Sequence, residues 1–224
     1  MTPELIVMLT EHDRTVKNAA AVFESCADAG ATWFGFKEEG LPESEMRALF
    51  ARMRERGKKT ALEVVAYTRQ ECLDGARLAV RCGCDLLMGT MYDDAIRDLC
   101  RDNGLKYFPF VGQIRERPSI LEGSAAQMLR QAEQYAARGA DGIDLLGYRY
   151  TGDADALIAG FVARCPLPVC VAGSIDSPVR LAHIRKTAPW GFTIGSAFFQ
   201  NRFGPDFSAQ IRRVLDAVGR ENIN

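Results

Sequence analysis

Residues 168–199, PVCVAGSIDSPVRLAHIRKTAPWGFTIGSAFF, decide how the chain folds. The apolar run from Val169 to Ala172 predicts a buried strand that ends at Gly173-Ser174, and a helical segment follows it. A second apolar run, Phe192 to Ile194, ends at Gly195-Ser196 and leads into a short helical turn. The stretch therefore predicts two successive strand–turn–helix units with the same Gly-Ser pair after each strand.

Six further units of the same kind precede this stretch. The predicted strands are 4–9, 33–36, 61–66, 85–88, 107–111 and 142–146, and the helices after them are 15–29, 44–56, 71–81, 93–102, 124–138 and 154–163. A last helix, 207–218, ends the series. Strands that alternate with helices eight times, without a break in composition, predict an α/β fold: one parallel (β/α)₈ TIM barrel, with residues 1–224 as a single domain.

The alternative fold is an open, doubly wound sheet. Such a sheet normally has a glycine-rich turn after its first strand, where a dinucleotide binds. The first turn here is Thr10-Glu11-His12-Asp13 and contains no glycine. The sequence therefore favours the barrel.

Composition excludes several classes of partner. Lys+Arg number 28 and Asp+Glu 29, so there is no electrostatic case for binding nucleic acid or an acidic membrane surface. The first residues are apolar only briefly and lack a basic leader, so we expect neither a signal peptide nor a membrane span. We therefore expect a cytoplasmic protein.

The cysteines and histidines do not predict a metal site. The seven cysteines are scattered, and Cys82-Gly83-Cys84 has no second pair at zinc-site spacing. His12 and His183 are the only histidines and are far apart, so they cannot form a three-ligand set without several carboxylates. We expect no metal and no cofactor.

The two Gly-Ser turns are candidates for binding a phosphate group. Glycine lets the backbone approach a ligand closely, and free N–H groups at the start of a helical turn attract an anion. In TIM barrels the loops after strands 7 and 8 commonly hold phosphate. We therefore assign phosphate binding to Gly173, Ser174, Gly195 and Ser196.

Three charged residues stand out within or at the end of predicted strands of the barrel, where neither face favours charge. They are Lys37, Glu63 and Asp144. Such residues are expected to point inward near the carboxyl ends of the strands, toward a partner or a ligand. Lys37 and Glu63 are on neighbouring strands about 4.8 Å apart, so they could form a buried ion pair or act as catalytic residues. Asp144 is either a third catalytic group or an acceptor for backbone or Arg149 donors.

The loops that follow the strands supply candidate substrate-binding residues. They are Asp13, Arg115, Tyr148 and Arg149. Asp13 could equally be the N-cap of the first helix, and Arg115 could be a solvated loop charge. Tyr148-Arg149-Tyr150 could provide an aromatic wall and a charge contact for a sugar.

The runs VAGSI and FTIGSAFF resemble the phosphate-binding corners of the ribulose-phosphate-binding barrel superfamily. That superfamily includes sugar-phosphate epimerases and isomerases, decarboxylases, and the tryptophan- and histidine-pathway barrels. More closely, the chain resembles a bacterial barrel group often labelled 4-hydroxythreonine-4-phosphate dehydrogenase, over nearly its whole length, through the runs VMLT, GFK, LEVV, YFPFVG, DGIDLL, VAGSIDS and GFTIGSAFF. The resemblance implies the barrel fold, a phosphate site, and proton transfer by lysines and acids on the early and sixth strands.

These observations predict a lyase or isomerase that acts on a small phosphorylated sugar or sugar acid. General acid–base chemistry by Lys37 and Glu63 would proceed through an enediolate. Alternatives are a Schiff-base aldolase that uses Lys37, a non-catalytic barrel that binds a phosphorylated metabolite, and a flavin or nicotinamide oxidoreductase. A homo-oligomer is compatible with the sequence.

Overall fold

The computed structural model describes residues 2–219. Its strands are β1 (Glu4–Met8), β2 (Thr10–Glu11), β3 (Arg14–Thr15), β4 (Trp33–Lys37), β5 (Lys59–Val64), β6 (Leu86–Gly89), β7 (Lys106–Phe108), β8 (Gln113–Arg115), β9 (Ile120–Glu122), β10 (Ile143–Leu145), β11 (Val169–Val171) and β12 (Gly191–Ile194). Its helices are α1 (Ala19–Cys26), α2 (Glu43–Glu55), α3 (Arg69–Cys82), α4 (Asp94–Asp102), α5 (Ala125–Ala137), α6 (Ala154–Val162), α7 (Pro178–Thr187), α8 (Ser196–Phe199) and α9 (Phe207–Gly219).

Eight of these strands form a parallel barrel. They are adjacent in the order β10, β11, β12, β1, β4, β5, β6, β7. The two ends of this row are joined because the Asp144 N–H donates to the Pro109 carbonyl at 3.0 Å and the Asp141 N–H donates to the Tyr107 carbonyl at 3.0 Å. The eight predicted strands and the predicted (β/α)₈ barrel are thus confirmed.

The segment after β1 differs from the prediction. Instead of entering a helix at residue 15, the chain forms an antiparallel hairpin from β2 and β3, and α1 begins only at Ala19. The turn residues His12 and Asp13 have φ of 49° and 60°, the left-handed region that a tight hairpin requires. Thr15 fixes the hairpin to β4, because its Oγ1 donates to the Lys37 carbonyl at 2.7 Å and accepts from the Lys37 N–H at 3.1 Å.

The long loop after the fifth barrel strand also contains an antiparallel hairpin, β8–β9, where the sequence predicts only a polar loop. Its far end is held over the mouth of the barrel by Arg117, whose guanidinium pairs with Glu38 at 2.6 Å and with Glu39 at 3.1 Å. Pro118 and Ser119 are thereby placed at the mouth. The hairpin narrows access to the barrel interior.

Helix starts follow local capping chemistry. Thr68 and Glu71 form a capping box at the start of α3, and Ser124 and Gln127 form another at the start of α5. Each box satisfies backbone N–H groups that the first helical turn leaves without partners. Within residues 2–219, every helix is too short or too polar to cross a lipid bilayer.

The barrel interior is apolar below its mouth. The cluster that fills it consists of Ile6, Met8, Trp33, Ala61, Leu86, Met88, Phe108 and Cys170. A second, larger cluster lies between the strands and the surrounding helices. Because side chains alternate along each strand, the next inward positions above the apolar layers are at the carboxyl ends of the strands. The apolar cluster therefore forms the support on which the polar residues of the mouth rest.

Gly142 tests the tight packing of this interior. A methyl group at residue 142 would lie 2.3 Å from Cζ of the Phe108 ring, whereas one at Gly160 in α6 would meet only the flexible end of Arg164 at 3.3 Å. We expect Gly142→Ala to lower the free energy of unfolding by about 1–3 kcal/mol, as overpacking does. Gly160→Ala, the matched control, should leave it unchanged or raise it, since alanine favours helix. Urea unfolding measures both, and an unaffected Gly142→Ala variant would contradict the packing described.

Candidate active site at the mouth of the barrel

Lys37 and Glu63 lie opposite each other on neighbouring strands. Lys37 ends β4 and is in register with Glu63 of β5. The Lys37 Nζ is 3.5 Å from Glu63 Oε1, and the residues are only 7% and 4% exposed. Both side chains therefore point into the barrel, as the sequence predicts, and form an ion pair that is nearly removed from water.

Asp13 provides a second carboxylate for the same ammonium group. The left-handed turn of the β2–β3 hairpin places Asp13 Oδ1 at 3.0 Å from Lys37 Nζ and 3.8 Å from Arg149 Nη2. The α1 N-cap is Asn18, so Asp13 does not cap that helix. Asp13 thus joins the lysine of β4 to the arginine that follows β10.

The neighbouring charges fix the charge states of Lys37 and Asp13. Burial disfavours the charged form of Lys37, but the carboxylates of Glu63 and Asp13 outweigh burial and raise the pKa of its ammonium group. Burial would raise the pKa of Asp13, but Lys37 and Arg149 outweigh it and lower that pKa. Lys37 is therefore a cation and Asp13 an anion across the physiological pH range.

Asp144 lies deeper than the other charged residues. It is fully buried, and neither carboxyl oxygen has a hydrogen-bond partner among residues 2–219. Burial, with the nearby charge of Glu63, raises the pKa of Asp144 well above its ordinary value. Burial therefore favours the protonated form of Asp144, and its side chain is not part of the cavity wall described next.

A cavity of about 230 Å³ opens between these residues and the two Gly-Ser turns. Of the predicted site residues, its wall includes Asp13, Lys37, Glu63, Arg149, Gly173, Ser174, Gly195 and Ser196. The structure thus brings together the predicted phosphate-binding turns, two of the three predicted catalytic residues, and two of the four predicted substrate-binding residues.

Within the part of the chain that the structure describes, the two Gly-Ser turns leave backbone N–H groups without partners. Gly173 and Ser174 have φ of 83° and 55°, which turns the chain sharply after β11. The N–H groups of Gly173, Ser174, Gly195 and Ser196 donate no hydrogen bond to another atom of residues 2–219. Ser196 Oγ accepts the His12 N–H at 3.2 Å, so the first loop contacts the last turn. Four backbone donors therefore remain available at this end of the cavity.

Arg115 and Tyr148, both predicted to bind substrate, are not part of the cavity wall. Arg115 lies on the β8–β9 hairpin, is about half exposed, and pairs with Glu122 at 2.8 Å. The Tyr148 ring packs instead against the Arg180 guanidinium, whose Cζ lies 4.6 Å from the centroid of the ring. Hairpin pairing and side-chain stacking, respectively, direct these two residues away from the cavity.

Several wall residues were not predicted. Thr10, Ser119 and Thr193 are buried polar residues that line the cavity. Thr10 is close enough to the last turn that a methyl group on Gly195 would lie 2.6 Å from its Oγ1. Thr193 is an inward position of β12, which strand alternation could have indicated. Thr10 lies on the two-residue strand β2 and Ser119 comes from a distant hairpin, so alternation indicates neither.

Within residues 2–219, no group of three or more His, Cys, Asp or Glu side chains has an arrangement that could hold a metal ion. The carboxylates of the cavity face the Lys37 ammonium group instead.

No model of a protein family matches the chain, and no curated protein sequence matches it. Solved structures do. Orotidine 5'-phosphate decarboxylase from Pyrococcus horikoshii OT3 is 13% identical, with a TM-score of 0.72 over 97% of this chain and 100% of that chain. The tryptophan synthase alpha chain from Legionella pneumophila is 14% identical, with a TM-score of 0.70 over 100% of this chain and 94% of that chain.

A third similar structure is a 4-hydroxy-2-oxoglutarate/2-dehydro-3-deoxyphosphogluconate aldolase, 16% identical, with a TM-score of 0.66 over 96% of this chain and 94% of that chain. All three similar proteins are enzymes by name. At these identities the likeness establishes the fold, so the chain is a TIM barrel. The narrower likeness to the 4-hydroxythreonine-4-phosphate dehydrogenase group stays a prediction.

Asp144→Asn tests the protonated state of the buried carboxyl group. In the wild type, Asp144 of the unfolded chain ionises above about pH 4 while the folded side chain keeps its proton, so stability falls as pH rises. Asparagine cannot ionise and removes this loss. The free energy of unfolding of the variant minus that of the wild type should therefore increase from about pH 4 to about pH 7, by up to about 1.4 kcal/mol per unit. Urea unfolding across this range measures the difference, and a pH-independent value would show that Asp144 is ionised in the folded protein.

Proposed function

We propose that the protein is a lyase or isomerase that acts on a small phosphorylated sugar or sugar acid through an enediolate. One observation carries this proposal. A single cavity has unpaired backbone donors of two Gly-Ser turns at one end and the buried Lys37–Glu63 pair at the other. A molecule with a phosphate at one terminus and an acidic carbon a few bonds away fits both ends.

The phosphate end follows from the turns. Backbone N–H groups that converge on one space attract an anion, and the missing Cβ of Gly173 and Gly195 lets that anion approach. Arg149 lies against the first turn, since a methyl group on Gly173 would lie 2.6 Å from its Cγ. Arg149 therefore adds a cation to the four amides.

The reacting end follows from Lys37 and Glu63. The Lys37 Nζ donates to Asp13 Oδ1 at 3.0 Å and lies 3.5 Å from Glu63 Oε1 as an ion pair, so at least one of its three N–H donors is free for a substrate oxygen. Glu63 removes a proton from the carbon beside a carbonyl group while Lys37 stabilises the negative charge that develops on the carbonyl oxygen. Isomerisation is complete when Glu63 returns the proton to the adjacent carbon and the hydroxyl proton of the enediolate passes to the former carbonyl oxygen. Epimerisation needs instead a proton from a second acid on the opposite face of the carbon.

Asp144 has a different role in this scheme, because it is not part of the cavity wall. We propose that it is a positioning residue. As an uncharged acid near Glu63, it adds no third negative charge to the pair that holds Lys37. An ionised Asp144 would compete for the same ammonium group.

The Schiff-base alternative is less well supported. A lysine nucleophile must lose its proton, which requires a lowered pKa. The carboxylates of Glu63 and Asp13 act in the opposite direction and raise the pKa of Lys37. The similar structures include an aldolase and a decarboxylase, and they support in general terms an enzyme that acts on a phosphorylated substrate.

Gly195→Ala should weaken binding of inorganic phosphate. The new methyl group would lie 2.6 Å from Thr10 Oγ1 and 2.9 Å from the Thr10 carbonyl oxygen, so the turn must move. We expect the dissociation constant for phosphate to rise at least tenfold, as measured by isothermal titration calorimetry. Gly57→Ala is the control, because a methyl group there meets nothing within 4 Å, although its φ of 70° adds some local strain. Equal phosphate binding by the Gly195→Ala variant and the wild type would argue against the turns as the site.

Glu63→Gln tests the proton-transfer step. Loss of a general base typically lowers the rate by about 10²–10⁴, so exchange of substrate C–H protons with D₂O should slow by that factor. Proton NMR with a panel of short sugar phosphates measures the exchange, and inorganic phosphate binding should be unchanged. Absence of exchange by the wild-type protein with every sugar phosphate would favour the non-catalytic barrel.

Borohydride distinguishes the lysine chemistries. We expect no reductive adduct on Lys37 when an active substrate is present, because the protonated amine cannot attack a carbonyl group. Mass spectrometry of the intact protein detects such an adduct. An adduct that is absent from Lys37→Met would establish the aldolase alternative.

A further inference from the structure

The deep end of the cavity carries more negative than positive charge. Asp13 and Glu63 both face the Lys37 ammonium group, at 3.0 Å and 3.5 Å. The other cation of the wall, Arg149, is 3.8 Å from Asp13 and lies against the turn at Gly173, where the phosphate is proposed to bind. A phosphate that engages Arg149 leaves two carboxylates and one ammonium group at the reacting end.

The remaining charged wall residues do not alter this balance. Asp176 pairs with Arg180 at 3.0 Å, beside the turn at Ser174. The side chain of His12 is 82% exposed and lies 4.0 Å from Glu11, on the outer side of the hairpin. A second anion at the reacting end would therefore meet no cation that is free to bind it.

The unpaired hydrogen-bonding groups at this end point to a ligand that both donates and accepts. Asp13 Oδ2 is buried and has no hydrogen-bond partner among residues 2–219, so one acceptor is unsatisfied. Lys37 Nζ donates a hydrogen bond to Asp13 alone among residues 2–219, so it has at least one further donor for a ligand. A hydroxyl group can donate to Asp13, and a carbonyl oxygen can accept from Lys37, whereas a carboxylate has no proton to donate.

We propose that the substrate's end opposite the phosphate is uncharged and carries a hydroxyl group next to a carbonyl group, and that Asp13 excludes phosphorylated carboxylic acids. This inference rests on the proposed function and narrows it. Of the phosphorylated sugars and phosphorylated sugar acids that could fit a cavity of this size, the site would select the phosphorylated sugars, which carry no carboxylate. Like-charge repulsion at close range in a site of low dielectric is strong enough to give such selection.

Two probes of equal length test the selection. Dihydroxyacetone phosphate has a hydroxyl group next to a carbonyl group, and 3-phosphoglycerate has a carboxylate at the same end. We expect the wild-type protein to bind the first at least about tenfold more tightly in isothermal titration calorimetry. Asp13→Asn should reduce this ratio severalfold. Asp216→Asn, which makes the same substitution at an exposed residue of α9 outside the cavity wall, should leave the ratio unchanged.

Each outcome decides between the two proposals. Equal binding of the two probes, or tighter binding of 3-phosphoglycerate, together with normal binding of inorganic phosphate, overturns the selection and leaves the proposed function intact. If inorganic phosphate does not bind at all, the phosphate site fails, and this inference fails with it. An unchanged ratio in Asp13→Asn overturns the assignment to Asp13.

Discussion

The arrangement of the barrel mouth depends on one buried ammonium group. Removing a charge from water costs several kcal/mol, so Lys37 is tolerated only where opposite charges and hydrogen bonds compensate. Glu63 compensates from the adjacent strand and Asp13 from the loop after β1. Asp13 reaches Lys37 because the chain turns tightly at His12 and Asp13, with φ of 49° and 60°. The same contact goes with the β2–β3 hairpin, with the start of α1 only at Ala19, and with the presence of Asp13 in the cavity wall.

The sequence was sufficient for the parts of the site that lie on strands. Lys37 and Glu63 could be paired in advance because residues at the carboxyl ends of neighbouring parallel strands share one edge. The Gly-Ser turns were visible because each directly follows an apolar run. The sequence predicts Asp13 at the mouth but leaves its contact with Lys37 open, because an aspartate before a helix is more commonly its N-cap. Two-residue strands such as β2 and β3 are too short for alternation to reveal them.

The sequence could not predict how deep in the barrel the Asp144 side chain lies. Alternation along β10 correctly predicts that Asp144 points inward, but its height depends on the stagger between strands. Asp144 is fully buried and lies outside the cavity wall, whereas Glu63, which neighbours a member of the apolar interior cluster, lines the cavity. Arg115 and Tyr148 show a related limit, since their partners, Glu122 on β9 and Arg180 on α7, decide which way each side chain points.

The closure of the ring has a consequence for how the protein is made. β1 lies between β4 and β12, so one of its neighbours comes from the start of the chain and the other from near its end. During synthesis, the peptide groups on one side of β1 stay unpaired until residues 191–194 have left the ribosome. Lys37 and Glu63 can meet in a partial ring, but the Gly195-Ser196 turn cannot. The Gly195-Ser196 turn is therefore the last part of the proposed phosphate site to be synthesised.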